Sequence, residues 1–487
     1  MRLEHSYSEQ GEVFSVSQRP TPVAQPAWIR RNKALATELD IDADWFDSDQ
    51  ALLTLAGNAL ADNTRPIATA YAGHQFGHWS PRLGDGRAIL LGELRTKNGQ
   101  CFDLQLKGAG RTPFSRNGDG RSPLGPVLRE YIVSEAMFAL GIPSTRALAA
   151  VSTGETVIRD RALPGAILTR VASSHLRVGT LQYVASRGDV NALKTLVNYC
   201  IKRHYPEAGD AEHPALGLLE AVLKAQARLI AKWQCVGFIH GVMNTDNMLL
   251  CGETIDYGPC AFMEAFDPHT VYSSIDHQGR YAFDQQPGIA HWNLAMLAQA
   301  LLPACEGDPQ SLLGEAQAIL DTFPAEFSAH YQRGALAKLG LDGSDKNDTA
   351  LLHEFQQLLL DETCDYSNAH IRLTALADPK AAFSPASENL FTFSDAFKPW
   401  LARWQSRLSQ NRQAATSLRA MKQANPLIIP RNHRIQAVIE AAENGDFQPF
   451  HALADATATP FTYSDTTWHY AHAASDEEKV LRTFCGT

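Results

Sequence analysis

Apolar and polar residues alternate through Phe102-Asp-Leu104-Gln-Leu106-Lys107, which predicts a strand with two chemically distinct faces. Phe102, Leu104 and Leu106 share one face; Asp103, Gln105 and Lys107 share the other. Arg87-Ala-Ile-Leu-Leu-Gly-Glu-Leu-Arg95 reads as the neighbouring strand, and Lys97-Asn98-Gly99 between them is a hairpin signal because Asn-Gly readily takes positive φ. From Ile67 to Arg121 glycines separate short apolar runs, the texture of a β-rich unit. The period then changes. Leu128, Ile132, Ala136 and Leu140 recur every fourth position, predicting a helix over 126–140 that Gly141 and Pro143 end. Leu219, Val222, Leu223, Leu229, Ile230 and Trp233 predict a second helix over 215–233, its stripe interrupted by Gln226. Met248–Cys251 and Glu253–Asp256 read as two short strands joined by a turn at Gly252. Past about residue 290 helix patterns dominate, as over 292–302, 351–360 and 435–442, while 341–349 and 384–387 read as loops.

The 487 residues suggest about three domain-sized units. With 45% hydrophobic and 20% charged residues the chain can bury a large core. Its 43 Lys and Arg against 53 Asp and Glu leave a net charge of −10, which argues against a nucleic-acid partner, since phosphates call for a basic surplus. The N-terminus lacks the apolar core of a signal peptide, and no run reaches the roughly 20 apolar residues that span a bilayer, so no membrane partner is expected. No pair among the eight cysteines is closer than nine residues, which excludes CxxC zinc or redox motifs; a cytoplasmic location follows as the expectation.

Chemistry concentrates in a few places. Gly-Asp-Gly-Arg occurs twice, at Gly84–Arg87 and Gly118–Arg121; glycines allow backbone N–H groups close to a phosphate, and the arginine adds a planar, multi-donor charge. Lys107 ends its strand on the polar face, and Glu130 on the next helix is its expected ion-pair partner, with Glu135 the competitor. His240-Gly-Val-Met-Asn-Thr-Asp246-Asn247, followed by Asp256-Tyr-Gly258, supplies an amide and a carboxylate suited to a hard cation. Val242 stands where a phosphotransferase loop of the His-Gly-Asp type carries its base, so ordinary γ-phosphoryl transfer lacks its proton acceptor and Asp246 is the available substitute. Two readings stay open here: nucleotide binding without chemistry, or a different transfer. Arg170 and Arg177, seven apart, would share a face if helical and could clamp a polyphosphate. His74 and His78 have metal-like spacing, but Gly73 and Gly77 disfavour a helix and a structural loop is expected. The order of elements and motifs predicts an α+β, kinase-like (pseudokinase) bilobal fold: an N-terminal segment (1–60), a β-rich N-lobe (61–190), a helical C-lobe (191–300) and a helical C-terminal extension (301–487).

The chain resembles the selenoprotein O family in YAGHQFGHW, LGDGRAILLGE, LKGAGRTPFSRNGDGR, REYIVSEAMFALGIPSTRAL, GAILTRVASSHLRVG, GFIHGVMNTDNM with TIDYGP, GRYAFDQQPGIAHWNL and NPLIIPRNHRIQAVIEAAENGDF, spanning 71 to about 447. The resemblance implies a protein adenylyltransferase that binds ATP in an orientation flipped relative to kinases and moves AMP to protein Ser, Thr or Tyr hydroxyls, releasing pyrophosphate; self-modification is a further expectation. It implies nucleotide contacts at Gly84, Gly86, Arg87, Lys107, Asp119, Gly120, Arg170, Arg177 and Asp256, with Glu130 holding Lys107. It further implies Mg²⁺, with Mn²⁺ as an alternative, on Asn247 and Asp256, and Asp246 as proton acceptor. Some eukaryotic members carry a selenocysteine near the C-terminus, to which Cys485 corresponds here; the resemblance also implies a redox bridge as in bacterial relatives, but the partner expected for it is Tyr272, which puts that bridge in doubt.

Overall fold

The computed structural model describes residues 2–410 and 414–484, so Cys485 lies outside the described residues. It is mixed α+β, 47% helix and 15% strand, with the sheet in the N-terminal part and helices dominating the C-terminal part. Ten strands lead the chain: β1 (Ser15–Ser17), β2 (Ala27–Arg31), β3 (Ile67–Thr69), β4 (Gly73–Gln75), β5 (His78–Ser80), β6 (Ala88–Arg95), β7 (Cys101–Lys107), β8 (Ser122–Pro123), β9 (Arg146–Ile158) and β10 (Ala162–Ala172). The main sheet runs β1-β3-β6-β7-β10-β9-β2 with β8 beside β10, and β4–β5 form a separate hairpin.

The β6–β7 hairpin closes as its sequence predicts, with Gly99 at φ 87° and Ala88 opposite Lys107. Both faces of β7 are covered. Leu104 and Leu106 join a core with Leu35, Leu39, Phe46 and Leu55 from the N-terminal helices. The polar face is equally hidden, Gln105 being 0% exposed. Register explains the consequence: β10 pairs antiparallel to β7 with Arg170 opposite Gln105, so Gln105, Lys107 and Arg170 project from one face. Against that face lies the helix Leu124–Ala139, ended by Gly141 at φ 74°. Two C-terminal helices, Asn432–Glu443 and Gln448–Thr457, back this helix: Tyr131 meets Phe450 edge-on at 5.6 Å, and Arg129 Nη1 donates to Asn432 Oδ1 at 3.1 Å.

The predicted 215–233 helix extends over Pro214–Val236. Its interrupting Gln226 is buried and donates Nε2 to Leu249 O at 2.7 Å, holding the polar loop from behind. Three expectations are corrected. Residues 248–256 do not pair with each other as a hairpin, although the turn at Gly252 is present at φ 76°. Their backbone groups are taken by flanking chain instead: Leu250 N donates to Leu176 O and Thr145 N to Thr254 O, both at 2.9 Å. Residues 384–387 begin a helix, Ser384–Leu390, because Pro385 sits in the first turn, where an N–H has no intrahelical partner to lose. Arg170 and Arg177 do not share a helix; the first is on β10 and the second precedes the helix Val178–Ser186. Among the described residues no helix is long and apolar enough to cross a membrane.

Among the described residues no ion pair joins the buried charge of Lys338 to a carboxylate. Lys338 is 2% exposed, sits 5.3 Å over the Tyr366 ring and reaches only Ala424 O, at 3.4 Å. Burial brings its ammonium from an ordinary 10.5 down to about 8. The folded pKa is depressed, so this group's contribution is favourable above about 10.5 and is lost as pH falls through 8. Lys338→Met should therefore be more stable than the parent at pH 7, by about 1–3 kcal/mol after the lost ring contact is offset. Denaturant unfolding should show that gap closing as pH rises toward 10.5. A variant less stable than the parent at pH 7 contradicts this account.

Candidate active site

All the residues singled out for nucleotide, metal or proton chemistry line one cavity of about 500 Å³ between the sheet and the polar loop. At its centre is a compact cluster of opposite charges. Lys107 Nζ lies 2.5 Å from Glu130 Oε2 and 3.0 Å from Asp256 Oδ1. Arg170 donates Nε to Glu130 Oε1 at 2.8 Å and Nη2 to Asp256 Oδ1 at 2.7 Å. Arg177 donates Nη1 to Asp256 Oδ2 at 3.2 Å and stacks 4.5 Å from the Tyr71 ring. Burial works against the ionised form of Asp256, but Lys107, Arg170 and Arg177 together hold it well below the usual carboxylate range. Glu130 likewise stays ionised, burial being overcome by Arg170 and Lys107. Glu135 turns away and holds Arg146 at 2.8 Å, which resolves the choice of partner for Lys107 in favour of Glu130.

The Asp256 backbone is at φ 64°, a conformation uncommon for a residue with a side chain and one that marks stored strain. Around it the loop is fixed by buried polar pairs. His240 Nε2 contacts Ile255 O at 2.8 Å and its Nδ1 receives Val242 N at 3.3 Å. Asn247 donates Nδ2 to Val242 O at 3.0 Å, leaving its carbonyl oxygen as the acceptor end. An amide oxygen and a carboxylate are hard donors, so Asn247 and Asp256 fit a Mg²⁺-type cation in kind.

Asp246 differs from Asp256 in its surroundings. Its backbone oxygen accepts from Arg177 Nη1 at 2.6 Å, while among the described side chains the donor to its carboxylate is Gln75 Nε2, at 3.3 Å. Oδ1 is buried without a partner. Burial lifts the carboxyl to about 6.

The glycines of the repeated tetrapeptides are forced by close approach. A Cβ on Gly84, at φ 117°, would lie 2.4 Å from the Phe114 ring, and one on Gly120, at φ 71°, 2.1 Å from the Gly110 backbone. Asp119 is gripped by Arg159 through contacts of 2.9 and 3.0 Å. Arg87 lines the same cavity.

Several contributors were not foreseen. Asp85, the acid inside the first tetrapeptide, is buried; it accepts from Thr69 Oγ1 at 2.7 Å and lies 3.7 Å from Arg177. The repetition of Gly-Asp-Gly-Arg was the signal available for it. The β4–β5 hairpin forms the roof. His74 N donates to Thr245 Oγ1 at 2.7 Å and Phe76 N to Asn244 Oδ1 at 3.0 Å, and a Cβ on Gly73 would lie 2.8 Å from Asp246 Oδ1. His74 itself packs between Trp79 and Trp292, at 5.0 and 5.2 Å, so the segment is a hairpin rather than the irregular loop its glycines suggested.

Comparison with known proteins gives a consistent family. The family model described as "Protein adenylyltransferase SelO" matches residues 1–458. A protein nucleotidyltransferase YdiU of Rhizobium etli is 51% identical over 487 residues, covering 100% of this chain and 97% of its own. A protein nucleotidyltransferase YdiU of Rhodopseudomonas palustris is 51% identical over 488 residues, covering 100% and 99%.

Proposed function

Because the chain belongs to the SelO family of protein adenylyltransferases, we propose that it moves AMP from ATP to Ser, Thr or Tyr hydroxyls of proteins, itself included, in a kinase-like cleft. The observation that carries the reading is the division of labour between two aspartates in one cavity: Asp256 ringed by three cations, Asp246 with an unpartnered oxygen. We assign the sheet-bearing part to the N-lobe (61–190), the polar loop to the C-lobe (191–300), and the segments 1–60 and 301–487 to the flanks, in a cytoplasmic enzyme.

Gly84, Gly86, Arg87, Asp119 and Gly120 cradle the nucleotide, while Lys107, Arg170 and Arg177 meet its phosphates, with Glu130 orienting Lys107. Asn247 and Asp256 would hold Mg²⁺ or Mn²⁺, which when bound supplies positive charge to the polyphosphate. ATP lies flipped relative to a kinase, with the α-phosphate toward the acceptor. The acceptor oxygen bonds to the α-phosphorus, the bond from that phosphorus to the bridging oxygen breaks, pyrophosphate leaves, and the hydroxyl proton passes to Asp246. Charge building on the leaving pyrophosphate is met by the lysine and arginines. With Asp246 as acceptor, Val242 is no obstacle, since the base need not stand where a γ-phosphoryl transfer requires it.

The deciding experiment supplies ATP labelled at either the α or the γ position with Mg²⁺ and follows protein-bound label. Label from the α position alone is expected. Label from the γ position alone makes the protein a kinase, and no label from either, with nucleotide bound, makes it a non-catalytic scaffold.

A further inference from the structure

A second cavity, of about 380 Å³, lies where the Glu130 helix ends, walled by the helices Pro214–Val236 and Phe323–Lys338, the end of Ala414–Ala424, and Phe461. It shares no lining residue with the first cavity. In a chain of net charge −10, it is lined by Arg228, Lys232, His330, Arg333 and Lys338 and by no Asp or Glu. The two helices approach closely within its wall, where a Cβ on Gly334 would lie 2.6 Å from Cys235 Sγ, and their cations line the same cavity.

These charges are poorly balanced. Among the described residues no ion pair joins Arg228 or Arg333 to a carboxylate. Lys232 donates to Gly141 O at 2.6 Å, Lys338 only to Ala424 O at 3.4 Å, and His330 lies 4.0 Å from Glu326, outside the lining. Lys338 is buried, and an ammonium buried without a counter-ion is costly. The remaining wall is apolar, with Leu140, Ile142, Ala231, Val236 and Phe461 among it. The volume falls within the range of small-ligand sites, about 300–1,000 Å³.

We infer that this cavity binds a small phosphate monoester with an apolar body, its dianion meeting Arg228, Lys232 and Arg333 and its body lying on the apolar wall. A phosphate monoester matches the site better than a carboxylate because it offers two charges and three acceptor oxygens to several N–H donors. None of these residues takes part in the proposed AMP transfer.

The test titrates the full chain with para-fluorophenyl phosphate, followed by fluorine NMR, with and without saturating Mg²⁺ and α,β-methylene-ATP. Saturable binding that the ATP analogue does not displace is expected, with none for neutral para-fluorobenzyl alcohol. Arg228→Gln/Arg333→Gln should weaken it about a hundredfold or more, since each lost hydrogen bond to a charged group is worth about tenfold or more. Both arginines are exposed, so the double variant should keep the parent's thermal unfolding; Lys232→Gln provides an independent arm with the same expected direction. No saturation, equal affinity in both variants, displacement by the analogue, or equal binding of the alcohol would each overturn the inference.

Discussion

Asp256→Asn should lower AMP transfer by about 10²–10³-fold or more, the scale seen when one preorganised electrostatic group is lost from an active site. It should also remove the dependence of nucleotide binding on divalent cation. The carboxylate of Asp256 is shared by Lys107 at 3.0 Å, Arg170 at 2.7 Å and Arg177 at 3.2 Å. An amide keeps the shape and one acceptor oxygen but not the charge, so the cations would face the nucleotide with Glu130 and the more distant Asp85 as their remaining counter-ions. Polyphosphate binding without metal should then persist or tighten while metal-assisted binding and transfer fail. That split distinguishes a metal ligand from a residue that merely neutralises its neighbours. A stability loss should accompany it, below the 3–5 kcal/mol typical of breaking a fully buried pair, because the side chain is 25% exposed and Glu130 remains. Transfer at the parental rate, or an unchanged metal requirement, would remove Asp256 from the proposed metal site.

The charge cluster was partly legible because its members sit at positions where local pattern is strong. Period-2 alternation placed Lys107 on the polar face at a strand end, and period-3.6 placed Glu130 on the following helix. The rival Glu135 could not be dismissed from spacing; five residues further along, it is turned round the helix toward Arg146 and the side chain of Asn32. Arg170 and Arg177 do come together on Asp256, but not as two turns of one helix face. They reach Asp256 from a strand and from the residue before a helix, a convergence set by sheet register and loop path. The segment 248–256 misled because short apolar runs around a glycine look alike whether they pair with each other or with distant chain, and here residues 143–145 and 176–178 take the hydrogen bonds. The roof over Asp246 was not legible at all: Gln75 and Asp246 are 171 positions apart, and no periodicity carries information over that distance.

Asp246→Asn should leave nucleotide affinity little changed and lower transfer by about 10²–10⁴-fold, the range for loss of a general acid–base group. The side chain is held without being neutralised. Arg177, the nearest cation, binds its backbone oxygen at 2.6 Å rather than its carboxylate, and Gln75 offers one long contact at 3.3 Å. Gly73 leaves no room for movement on one side, since even a Cβ there would lie 2.8 Å from Oδ1. A carboxylate so confined, with Oδ1 unpartnered, is preorganised to receive a proton, and its replacement by an amide of the same shape removes that capacity with little disturbance of packing. The loss should therefore appear in kcat, with KM for ATP near the parent's and thermal unfolding retained. Asp256→Asn, by contrast, should disturb both metal dependence and turnover. Full activity in Asp246→Asn would sink the assignment of this residue as proton acceptor, and equal losses in binding and turnover would recast it as a positioning residue for the loop.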